Sequence, residues 1–93
     1  MCYTYVLLSE RDQRFYTGTS SDLRARLSLH ATGKVRSTAY RRPLTLVYYE
    51  ACIDADDAYR RERFLKTGRG KRFLRTRLAS FLAGASTGKL EQQ

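Results

Sequence analysis

The stretch "FYTGTSSDLRARLSLH", residues 15–30, decides how this chain folds. An aromatic and threonine-rich run reaches Gly18, three side chains able to cap a helix follow at Ser20, Ser21 and Asp22, and leucines then recur from Leu23. That pattern is a strand passing into an N-capped helix. Backward from it, "YTYVLLS" at 3–9 is a second aromatic and branched run, joined to "RFYTGTS" at 14–20 by the polar "ERDQ", which is the signature of a β-hairpin. Forward from it, Gly33 terminates a helix expected over Asp22 to about Thr32. "KVRSTAYRRP" at 34–43 reads as a basic, irregular connection, and "LTLVYYEAC" alternates as a third strand, Leu44 to Ala51. Asp54 caps a second helix through Lys66, stopped near the glycines of "KTGRGK". A third helix, from about Lys71 to Ala83, repeats Phe73, Leu74, Leu78, Phe81 and Leu82 on one side. The order ββαβαα is that of an α+β fold.

The length of 93 residues makes one small domain, expected over residues 1–83, with "GASTGKLEQQ" at 84–93 as a disordered tail. The longest apolar run, "VLL" at 6–8, is far too short to span a membrane, and the amino terminus has neither a basic leader nor a small-residue cleavage site. A soluble, cytoplasmic protein is expected. Cys2 and Cys52 are isolated and the chain holds a single histidine, so no cluster has zinc-site spacing.

Charge narrows the function. Eighteen Lys and Arg against nine Asp and Glu give a net charge of +9, and fourteen of the eighteen are arginine, whose planar fork matches phosphate oxygens in pairs. Nine of these cations fall within residues 60–77 beside a single acid, Glu62. The balance points to a polyanion, with nucleic acid the first expectation. Arg69, Lys71 and Arg72 are candidate nucleic-acid contacts. The aromatic and basic segment Tyr40-Arg41-Arg42 could serve DNA or a protein partner equally.

Polar residues on apolar faces mark the candidate site. Stepped at about 100° per residue from Leu23, Leu27 falls at about 40°, His30 at about 340° and Arg26 at about 300°. His30 is therefore inside the apolar stripe, either as a satisfied core residue or as a functional one, and Arg26 is on its edge, where a guanidinium needs a partner. On the second helix, counted from Ala58, Leu65 lies at about 340° and Glu62 at about 40°, so the lone acid also faces inward. It reads as half of an internal ion pair with a residue such as Arg26, or as the ligand of a hard cation. Tyr5 and Tyr16 can be neighbours across the hairpin, as packing residues or as phenols of a site. Together these groups form a plausible phosphodiester site: an arginine for the phosphate, a carboxylate for one Mg²⁺ (or Mn²⁺), and a phenol or imidazole for the proton.

At these residues the chain resembles the GIY-YIG nuclease family, in particular its small stand-alone bacterial members. Tyr3-Thr4-Tyr5 stands where the family has Gly-Ile-Tyr, and Tyr16-Thr17-Gly18 where it has Tyr-Ile-Gly. "TSSDLRARLSLH" is similar to the family's segment of threonine, Asp-Leu, an arginine three residues on and a histidine four beyond. The likeness continues through "RRPLTLVYYE" and "AYRRERFLKTGRGKRFL". The resemblance implies a three-stranded antiparallel sheet flanked by helices. It implies Tyr5 as general base or water-positioning group, Tyr16 as its assistant at the nucleophile or phosphate, Arg26 as the phosphate-binding group, His30 as the proton handler and Glu62 as the single metal ligand. The chain departs from the pattern in the first glycine, in Thr17 where the family has isoleucine, and in having no asparagine, which several nuclease members place after the glutamate. The implied function is a Mg²⁺-dependent DNA endonuclease, structure- or strand-selective, with little sequence specificity. The alternatives are a non-enzymatic nucleic-acid-binding module on the same fold and a subunit that cuts only when docked to a protein partner.

Overall fold

The structure, a computed structural model, describes residues 1–86. Strands β1 (Cys2–Ser9) and β2 (Phe15–Ser20) form the hairpin; α1 (Leu23–Ala31) follows, then a short 3₁₀ turn at Ala39–Arg41, β3 (Leu44–Cys52), and the helices α2 (Ala55–Leu65), α3 (Gly68–Arg77) and α4 (Ala79–Ser86). The sheet is antiparallel in the order β2-β1-β3, so the first strand is its centre. This is the α+β architecture expected from the sequence, with one more helix than expected.

Local chemistry sets the first helix. Asp22 accepts a hydrogen bond from the Ala25 amide at 3.1 Å, and the next residues carry no strand-forming alternation. The C-terminal region differs from expectation at two places. Helix α3 starts at Gly68, three residues early, because the Thr67 hydroxyl accepts from the Gly70 amide at 3.1 Å. Gly70 is there for space: a Cβ on it would lie 2.0 Å from the Phe64 carbonyl oxygen, so the α2–α3 corner closes only over a hydrogen. The single helix expected over Lys71 to Ala83 is two, broken at Leu78, whose φ of −105° and ψ of 21° leave the helical region while its side chain packs on the core. The boundary expected between 83 and 84 falls inside α4; residues 87–93 lie outside the described ones.

The pleat assigns the faces. On one face of the sheet Val6 packs against Leu65 and Leu74, with Phe15, Val47, Tyr48, Phe73 and Leu78 around them. Thr4, on the same face, donates to the Ala58 carbonyl of α2 at 3.0 Å. Thr17 pairs with Val6 in register and is buried on this face, so the threonine that departs from the family pattern is a packing residue. The alternate residues, Tyr3, Tyr5 and Leu7 of β1 with Tyr16 and Gly18 of β2, point to the opposite face, the face α1 covers.

Candidate active site

Tyr5 is the centre of that second face. It is completely buried, and its phenol lies directly over Gly18, its cross-strand partner; a Cβ at Gly18 would lie 2.6 Å from the Tyr5 hydroxyl. The glycine that ends the quoted motif is therefore the floor on which the phenol rests. From α1 comes His30, the only buried residue of that helix, with Nε2 2.7 Å from the Tyr5 hydroxyl and Nδ1 2.8 Å from Oγ1 of the buried Thr38. The half-buried Tyr16 completes an aromatic triangle, with ring centres 6.4 Å from Tyr5 and 5.2 Å from His30.

The electrostatics follow from this burial. Burial raises the Tyr5 phenol above its ordinary value, against the pull of hydrogen bonding from Arg26, and the Tyr16 and Glu62 charges add to the rise. His30 is pushed down to about 4, by burial first and by the Arg26 charge second, so its imidazole is neutral at physiological pH. Arg26 is raised, mainly by hydrogen bonding to Tyr5. Arg26 is half-buried and, among the described residues, forms no ion pair with a carboxylate. A cation with phenols as neighbours and no acid to neutralise it is what a phosphate can occupy.

Glu62 stands on α2, a turn from the buried Ala58 and Leu65, with its side chain 13% exposed. The ion pair considered for it with Arg26 does not form. Its Oε2 accepts from Lys66 Nζ at 2.7 Å, one turn along the same helix. Among the described residues no group of three or more His, Cys, Asp or Glu comes together. The donor set for a metal is thus a single hard carboxylate whose Oε1, among the described residues, takes no hydrogen bond, which fits a Mg²⁺-like ion that keeps most of its water and takes phosphate oxygen as a further ligand.

The structure thus brings Tyr5, Tyr16, Arg26 and His30 into one cluster, with Glu62 near enough for its charge to act on Tyr5. Tyr5 has no exposed surface, and its hydroxyl meets His30 and lies over Gly18 inside the fold.

The nucleic-acid candidates divide. Arg41 is a brace: Nε holds Asp12 at 2.8 Å, Nη2 reaches the Arg14 and Phe15 carbonyls, and its own carbonyl accepts from Ser9. Its Nε and Nη2 donors fix the hairpin loop, and the side chain lines one groove with Arg14, Lys71 and Arg75. Arg42 lies over Gly33 and donates to the Ala39 carbonyl at 3.0 Å, an anchor for the connection after α1. Arg69, Lys71 and Arg72 are exposed on α3 and, among the described residues, form no ion pair. Lys71 lines a groove of about 830 Å³ with Arg14 and Arg75, floored by Leu8, Phe15 and Leu82. Sequence reading missed Arg14, which sits on a turn apart from the basic block, and Thr38, which sits in a connection without periodicity.

Residues 1–76 of the chain match the model of the GIY-YIG catalytic domain. The chain belongs to the GIY-YIG family, a family of nucleases whose substrate is DNA. Among similar proteins are the UPF0213 protein SH2523 of Staphylococcus haemolyticus, 38% identical over 70% of this chain and 79% of its own length, and UPF0213 protein SpyM50708 of Streptococcus pyogenes, 37% identical over 87% and 84%. The solution structure of the UPF0213 protein BH0048 from Bacillus halodurans is 34% identical, covering 82% of this chain and 84% of that one with a TM-score of 0.52. Among the described residues no helix is long and apolar enough to cross a membrane.

Proposed function

We propose that this protein is a metal-dependent DNA endonuclease of the cytoplasm that hydrolyses phosphodiester bonds with selectivity for DNA structure or strand and little for sequence. The observation that carries the proposal is the Arg26 guanidinium, half-buried among phenols with no carboxylate partner among the described residues. Arg26 binds and orients the phosphate; Tyr16, half-exposed beside it, is the phenol that faces the substrate. Tyr5 and His30 form the proton store behind them, the phenol hydrogen-bonded to an imidazole that is neutral and able to accept. Glu62 is the residue that would hold Mg²⁺ or Mn²⁺, an ion that supplies charge neutralisation at the phosphate oxygens. The exposed Arg69, Lys71 and Arg72, with Arg14 and Arg75 along the groove, hold DNA backbone by charge and carry no base readout.

One observation favours the alternative of a binding module: Lys66 neutralises the carboxylate the metal needs. A cleavage assay with Mg²⁺ across single-stranded, duplex, flap and junction DNA, with Arg26→Ala beside the natural protein, decides. Metal-dependent cleavage lost in Arg26→Ala supports the enzyme. Tight binding without cleavage on every substrate, alone or with metal, leaves the binding module.

A further inference from the structure

We infer that Thr38 is a positioning residue of this site, its hydroxyl holding His30 in the tautomer that carries its proton on Nδ1, so that Nε2 stands as the acceptor for the proton of Tyr5. The inference rests on the nuclease reading for its catalytic meaning, while the tautomer itself rests on hydrogen bonds alone.

Two proton arrangements are open to the chain of Tyr5 hydroxyl, His30 and Thr38, linked at 2.7 Å and 2.8 Å. In the first, Tyr5 O–H donates to Nε2, Nδ1–H donates to Thr38 Oγ1, and the Thr38 hydroxyl donates onward to the Val35 carbonyl at 3.4 Å. Every proton then has an acceptor. In the second, Thr38 donates to Nδ1 and Nε2–H donates to the Tyr5 oxygen. The Tyr5 proton must then turn elsewhere, and the group that faces it is Arg26, which has five donors and no acceptor. A phenol proton turned toward a guanidinium finds no acceptor there, and the Thr38 proton, given to Nδ1, leaves the Val35 carbonyl to which it donates at 3.4 Å. The first arrangement keeps the Thr38 hydroxyl on the Val35 carbonyl and so leaves its oxygen to accept from Nδ1.

The consequence is directional. When the Tyr5 O–H bond breaks, its proton forms the N–H bond at Nε2, the imidazole becomes imidazolium with Nδ1–H still on Thr38, and the electron pair stays on the Tyr5 oxygen facing Arg26. Returning the proton reverses the step, with no net charge moved out of the buried site. Without the Thr38 acceptor, Nδ1–H has no partner and the imidazole gains by moving its proton to Nε2, which closes that route.

The chain has one histidine, so its two ring nitrogens can be read without ambiguity in the full-length, ¹⁵N-labelled protein. At neutral pH the natural protein should show Nδ1 as the protonated nitrogen and Nε2 as the bare acceptor. Thr38→Val, which keeps the shape and removes the oxygen, should shift that population toward Nε2–H, and Thr38→Ser should restore it. On cleavable DNA, Thr38→Val should lower kcat by about tenfold or more with KM little changed, general acid–base groups contributing roughly 100- to 10,000-fold, and Thr38→Ser should recover most of it. A natural protein whose spectrum reports Nε2–H overturns the inference, as does a Thr38→Val spectrum unchanged from it. Should Thr38→Val not fold, the natural and Thr38→Ser spectra still decide. Absence of cleavage by the natural protein removes the nuclease reading and leaves the tautomer result standing.

Discussion

Replacing Gly18 by alanine places a methyl carbon 2.6 Å from the Tyr5 hydroxyl oxygen, 2.8 Å from Cζ and 3.2 Å from Cε1. The ring cannot simply swing away, because it is wholly buried and its hydroxyl is held 2.7 Å from His30. Overpacking of this kind costs about 1–3 kcal/mol. If the ring yields by giving up its hydrogen bond, a buried imidazole nitrogen is left unpaired at about 1–3 kcal/mol more. Alanine's preference over glycine within a strand returns about 0.5–1 kcal/mol. The net loss is about 2–4 kcal/mol, and at about 4–8 °C per kcal/mol for a domain of this size the melting temperature falls by about 8–32 °C. Urea unfolding at 25 °C and thermal melts of the natural protein, Gly18→Ala, Tyr5→Phe and the double variant measure it. Because Tyr5→Phe deletes the closest atom, Gly18→Ala should cost less in that background, with a coupling of about 1 kcal/mol or more. A Gly18→Ala protein as stable as the natural one, or costs that add without coupling, would refute the account of Gly18 as the floor of the site.

Acid should destabilise the fold through His30: its folded value of about 4 lies below the unfolded 6.5, the unfolded chain binds the extra proton, and stability present above about pH 6.5 is lost as pH falls toward 4, by up to about 3 kcal/mol, which His30→Gln should flatten in denaturation curves taken across that range. Glu62→Gln should lower metal-dependent cleavage by several orders of magnitude while costing only about 0.5 kcal/mol of stability, since the carboxylate's partner is a half-exposed lysine one turn away; a variant that cuts at the natural rate would end the metal-ligand assignment. Arg69→Ala, Lys71→Ala and Arg72→Ala together should flatten the dependence of DNA affinity on salt, whereas Arg41→Ala should lower the melting temperature, as filter binding and melts will distinguish.

The parts of the fold legible in the sequence are those set by neighbours along the chain. Asp22 caps α1 from its own side chain, and the hairpin alternates on both sides of its loop, so both elements could be placed to within a residue or two. The break at Leu78 could not, because neither proline nor glycine marks it and the apolar repeat runs unbroken across it. Glycines 68 and 70 read as breakers, yet they open a helix, since the need for a missing Cβ at Gly70 comes from Phe64 across a corner. At the site, Arg26 and His30 were visible as polar groups on an apolar stripe. Arg41 was visible only as a charge: where its donors go depends on a loop 29 residues away.

Tyr5 shows most clearly what the pleat decides and the motif does not. Its letters match those of a surface phenol, but β1 is the central strand, α1 covers this face, and the result is a tyrosine without exposed surface. On the proposed reading, a phosphate then meets Arg26 and Tyr16, the half-buried members of the cluster, and feels Tyr5 only through them. The negative charge that a Tyr5 phenolate would carry is balanced on one side by Arg26 and on the other by the imidazolium its own proton creates, so neither ion is ever alone in the interior. That requirement explains why arginine and histidine share one face of α1 a single turn apart. Moving either to the outer face would leave the other's charge, once formed, buried without a partner.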